Sequence, residues 1–204
     1  MSNNLINAGP KDRFDHLLNV LSHDRFLNMD IGGGGEVPFF ICPYDPKDSL
    51  QMERAETNLI KNLKKKGISV LALNLYDLTI DMMKKEGDWE HYIKIESSLS
   101  KKELLDEFKA IFDSESYLIP AIKNKIKKAD FKIMFISGVG NVFPYIRAHN
   151  LLNNLQSSAK EHPTVIFFPG EYSHSAVGGA SLNLFNKFNT DHYYRAFNIY
   201  DFQV

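Results

Sequence analysis

The sequence predicts a three-layer α/β domain, a Rossmann-like and mostly parallel sheet with helices on both faces. Three observations predict it. Short apolar runs alternate with longer stretches whose apolar residues recur at helical spacing. The short runs are apolar almost throughout, as strands buried on both faces must be. Residues that cap or stop helices stand at the joins between them.

Residues 1–10 read as a flexible tail. Phe14, Leu17, Leu18 and Leu21 then mark an amphipathic helix, and Gly32–Gly35 a loose connector. The first strand is expected over Val37–Cys42 and stops at Pro43-Tyr44-Asp45-Pro46. Asp48, with Gln51 three residues on, reads as the cap of a helix with Met52, Ala55, Leu59 and Leu63 as its inner stripe and Gly67 as its stop. A strand over Ile68–Leu75 follows, then helical segments over Leu78–Lys85 and Trp89–Ile95. Ser100 and Glu103 form a capping box before another helix, and Pro120–Lys128 is one more. Phe131–Ser137 is the third strand. Gly138-Val139-Gly140 turns into a helix expected over Pro144–Gln156, with Pro144 as its first residue. Thr164–Phe168 is the fourth strand, Pro169–Ala180 a polar loop, and Ser181–Phe188 a short helix. Tyr194–Phe202 is expected as a last, edge strand with antiparallel pairing open. One α/β domain over 1–204 accommodates all of this.

Composition narrows the function. Twenty-four basic side chains against 25 acidic ones leave a net charge of -1, so direct DNA binding through a broad basic surface is not expected. Two lysine clusters, Lys61 to Lys66 and Lys123 to Lys128, end helices and complement their dipoles. Cys42 is the lone cysteine, and its apolar neighbours make it a buried thiol. The seven histidines show no short metal-ligand spacing, so neither metal nor cofactor is called for. No stretch is as long as a membrane span, and residues 1–10 lack the apolar core of a signal peptide. A cytoplasmic location is expected.

Ligands of open parallel sheets gather at the carboxyl ends of the strands. That rule selects Pro43–Pro46, Tyr76-Asp77, Gly138–Asn141 and Pro169–His174. The candidate ligand crevice comprises Gly138, Gly140, Asn141, Arg147, Glu171 and Tyr172. Backbone N–H groups at the glycine turn would hold an anion, Arg147 would add charge, and Glu171 would position a water. The turn lacks the Lys-Ser/Thr of a P-loop, and Phe143 stands where a third glycine would complete G-x-G-x-x-G, so a tight strand-to-helix turn that needs glycine's freedom is the favoured explanation of the glycines. No G-x-S-x-G elbow presents a serine. No catalytic residue is assigned, and the chain is expected not to be an enzyme. The aromatic last strand suits a partner surface comprising Tyr193, Tyr194, Arg195 and Tyr200.

Further blocks carry a resemblance. Phe26-Leu27-Asn28-Met29, Glu36 to Ile41 and Leu73-Asn74-Leu75-Tyr76-Asp77 come first. Gly138-Val139-Gly140, Val142-Phe143-Pro144, Arg147-Ala148-His149 and Asn150 to Gln156 follow. Phe167 to Tyr172 and Tyr193 to Phe197 close the series. In this order they resemble the BrxB family of BREX (bacteriophage exclusion) phage-defence systems, over about Phe14–Phe202. Ser173–Ala180 is longer than the family's usual link, and the four glycines are unusual. The resemblance implies an accessory protein beside methyltransferase, large ATPase and PglZ-type phosphatase-like subunits, without catalytic residues of its own. It further implies an adaptor role with the PglZ-type protein as partner and other BREX subunits as further partners; separately, the sequence leaves a homodimer open. The alternative reading is a nucleotide- or phosphate-binding regulator with a degenerate strand-loop-helix site.

Overall fold

The sheet core is parallel, in the order β2-β3-β4-β1-β7. Its strands are β1 (Phe39–Tyr44), β2 (Val70–Asn74), β3 (Ile133–Ser137), β4 (Thr164–Ser175) and β7 (Phe197–Asn198). The structure is a computed structural model, and it describes residues 5, 8–28, 39–155, 161–175, 179–191 and 196–204. The Gly32–Gly35 connector and the first residues expected of β1 lie outside the described residues.

Alternation along β1 divides the core. Phe39 and Ile41 face one side, with α4 (Leu75–Glu86), α7 (Ile119–Lys128) and α8 (Ala148–Leu155). α5 (Trp89–Ile95) and α6 (Lys101–Ile111) pack on the same side through Trp89, Tyr92 and Phe108. Phe40 and Cys42 face the other, with α1 (Pro10–Ser22), α2 (Asp24–Leu27) and α3 (Ser49–Lys65). The three-layer α/β arrangement is therefore as expected, and burial of both faces explains why the central strands carry no polar alternation.

Local signals held where the chemistry is local. Ser100 and Glu103 form the full capping box at α6. Gly67, at φ +75°, ends the turn after α3. Lys64 and Lys65 close α3, and Lys125, Lys127 and Lys128 close α7. Asp48 differs: it precedes α3 but its carboxylate makes no cap, pairing instead with Arg13 at 3.6 Å. Asp45 supplies the cap one turn earlier, accepting from Lys47 N–H at 3.0 Å.

Three expectations are corrected. The helix expected from Pro144 starts at Ala148, because residues 139–146 form successive turns that bury Val142 and Ile146. The loop expected over Pro169–Ala180 is largely strand. β4 runs on to Ser175 and pairs antiparallel with β5 (Gly179–Leu184). The helix expected over Ser181–Phe188 is β5, a turn, and β6 (Phe188–Asp191), which pairs with β5. Leu182 and Leu184 are buried while Ser181 and Asn183 are half-buried, which is strand alternation. Phe185 and Asn186, at φ +57° and +58°, make the reversal. Among the described residues the last strand is an edge, as expected, but β7 lies parallel to β1 and is cut short by a 3₁₀ turn over Ile199–Asp201.

Candidate functional site

Chain direction opens a crevice between β1 and β4. These strands are adjacent and parallel. The chain leaves β1 toward α3 on one face, whereas β4 continues into a hairpin whose Leu182 and Leu184 join the cluster on the other face. Divergence of this kind at neighbouring carboxyl ends is where open α/β sheets place ligands. A pocket of about 360 Å³ lies there, lined by Arg13, Tyr44, Asp45, Asp48, Glu171 and Tyr172 among others.

Its basic side chains are already matched. Arg13 pairs with Asp48, both side chains largely screened from solvent. Lys47 Nζ sits 2.8 Å from Asp45 Oδ2, and those contacts hold the Asp45 carboxyl below its usual range. Burial pushes the Tyr44 phenol up to about 12, so it remains a neutral hydrogen-bonding group. Glu171 is exposed. Tyr172 is buried, and its hydroxyl donates to the Ala196 carbonyl at 2.6 Å. The arrangement can hold a small polar ligand by hydrogen bonds, and none of these contacts sets a nucleophile against a base.

The six crevice residues expected together are not brought together. Glu171 and Tyr172 line the pocket between β1 and β4. Gly138, at φ +75°, lies over the end of β2, where an added Cβ would come 2.5 Å from Asn74 Oδ1. Asn74 itself caps α4 by accepting from Tyr76 and Asp77 N–H at 2.9 and 3.3 Å. At Gly140 a Cβ would come 2.8 Å from the Phe185 ring and 3.0 Å from Pro169. Asn141 N–H donates to Gly138 O at 3.0 Å, closing the turn on itself, and its side chain is exposed. The glycine turn is thus packed by the protein's own side chains. Arg147 lies elsewhere, in a groove of about 320 Å³ between α8 and the β5–β6 hairpin.

Sequence reasoning missed two residues. Arg13 comes from α1, far from the strand ends in sequence. The available signal was a charge at the head of the stripe continued by Leu17 and Val20. Glu56, on α3, lines an acidic cleft of about 420 Å³ beside Asn74, Asp77 and Ser137. Burial raises its carboxyl to about 7, against the opposing pull of a Ser137 hydrogen bond. Its place at i+4 from Met52 was the signal there.

Of the partner surface, Tyr193, Tyr194 and Arg195 lie outside the described residues. Tyr200 is corrected: it is buried at 3% exposure, with its Oη 3.5 Å from Cys42 Sγ, because the 3₁₀ turn folds it inward.

Comparison with known proteins decides the family. The model of the family described as BREX protein BrxB matches residues 71–199. This chain belongs to the BrxB family. A BREX protein BrxB of Bacillus cereus (strain H3081.97) is 29% identical over 194 residues, covering 93% of this chain and 97% of its own length. A BREX protein BrxB of Escherichia coli O9:H4 (strain HS) is 27% identical over 191 residues, covering 92% of this chain and 90% of its own. No solved structure matches significantly. The BrxB match spans the strands β2 to β7 and so includes the Glu171 side of the crevice and the Arg147 groove. Among the described residues no helix is long and apolar enough to cross a membrane.

Proposed function

We propose that this BrxB-family chain is a non-catalytic accessory subunit of a BREX anti-phage defence assembly, acting as an adaptor that binds the PglZ-type protein. Family membership supports the system. The observation that carries the adaptor reading is the glycine turn. Asn74 crowds Gly138, and Phe185 and Pro169 crowd Gly140, in the place a phosphate cradle would leave open. Co-purification of the chain with the PglZ-type protein of its operon, sized by light scattering, tests this. A defined complex is expected, and two separate species would overturn it.

A second reading, a regulator that binds a nucleotide or phosphate, is favoured by the position of the pocket at the neighbouring carboxyl ends of β1 and β4. Titration calorimetry with ATP, GTP and inorganic phosphate tests it. Absence of heat with all three would remove it.

A further inference from the structure

The groove holding Arg147 has a chemistry that the crevice lacks. Arg147, His149 and Lys187 line it, with Phe143, Phe168 and Phe188, and among the described residues no carboxylate lines it. Arg147 and Lys187 are exposed, and among the described residues neither has an ion-pair partner. Phe188 is 47% exposed, and its ring packs 4.9 Å from that of Phe143. An apolar floor rimmed by one sign of charge fits an occupant with the opposite sign.

The adjacent strand narrows the occupant. β6 pairs with β5 on one side and, among the described residues, has no neighbour on the other. A free strand edge offers backbone N–H and C=O groups in register for another peptide, which nucleic acid cannot match. We propose that this groove takes an extended acidic segment of a protein partner, paired along β6 and anchored by an apolar side chain over the Phe143–Phe188 pair. That the partner is the PglZ-type protein rests on the accessory-subunit reading above, whereas the groove's chemistry does not.

The test titrates the full chain into a fluorescein-labelled peptide of Asp and Glu flanking Phe-Leu, its Lys-flanked counterpart, and single-stranded oligo-dT. Binding of the acidic peptide is expected, weakened about tenfold or more by Arg147→Glu with Lys187→Glu. Phe188→Ser should weaken it independently. Lys65→Glu with Lys66→Glu, the same charge change at the end of α3, should leave it unaltered. No acidic-peptide binding, equal loss in the α3 variant, or preference for oligo-dT would overturn the proposal, the last assigning the groove to nucleic acid. Pull-down of the PglZ-type protein separates the two ideas. If wild type captures it and the groove variant captures it equally, the groove assignment falls and the adaptor reading stands. If wild type captures nothing while the acidic peptide still binds, the groove stands and the PglZ assignment falls.

Discussion

The thiol of Cys42, on β1, lies 3.5 Å from the phenol oxygen of Tyr200, from the 3₁₀ turn after β7, with both side chains buried. The contact ties the end of the chain to its central sheet. Burial pushes the Cys42 thiol up to about 12, so the thiolate is absent near neutrality. A disulfide-exchange reagent at pH 8 should label nothing in the native chain and one thiol in guanidinium. Rapid native labelling would show the turn to be undocked.

Tyr200→Phe should cost about 1 kcal/mol, because it removes a weak buried partner and keeps the ring. Tyr200→Ala should cost about 3–5 kcal/mol by opening a cavity among Phe40, His16 and Cys42. Denaturant titration of both checks the ranking; equal costs would mean the ring contributes no packing.

Gly138→Ala and Gly140→Ala should differ. At Gly138 the added methyl meets the Asn74 cap and Leu75 N, at a positive φ that L residues resist. A loss of about 2 kcal/mol is expected. At Gly140 it meets the far edge of the Phe185 ring and the Pro169 ring, and no positive φ is involved. The smaller loss is expected there. Melting temperatures of the pair decide, and a reversed order would refute the packing explanation of the turn.

Glu56 makes stability depend on pH in an unusual direction. Its folded value of about 7 lies above the ordinary 4.5, so between those values the folded chain keeps a proton that the unfolded chain gives up. Stability contributed by the neutral acid is full below 4.5 and is lost as pH rises through about 7. Glu56→Gln should therefore stabilise by about 1–3 kcal/mol at alkaline pH and change little near pH 4, after allowance for its partial exposure. Denaturation midpoints of wild type and variant across this range check it. A constant difference would exclude the titration.

What the sequence reveals and what it conceals divide by range. Ser100 with Glu103, Gly67, and the apolar runs of β1, β3 and β4 all signal through near neighbours or through burial on both faces. The hairpin did not, because Leu184, Phe185 and Phe188 have helical spacing while Leu182 and Leu184 alternate, and only pairing with β4 settles which period wins. The same limit applies to the crevice. Pro43–Asp48 and Glu171 are nominated by the strand-end rule, but Arg13 arrives through the docking of α1. Phe185 reaches Gly140 through that same hairpin, whose pairing no local signal fixes.

β4 changes its pairing part-way along, from β3 and β1 in its first half to β5 in its second. Thr164 to Pro169 lie parallel to β1, and Gly170 to Ser175 lie antiparallel to β5, along one unbroken strand. The hairpin is thus a handle fixed to the middle of the sheet. Whatever grips it pulls on the beam that walls the crevice, so a load applied outside the domain is borne at its centre.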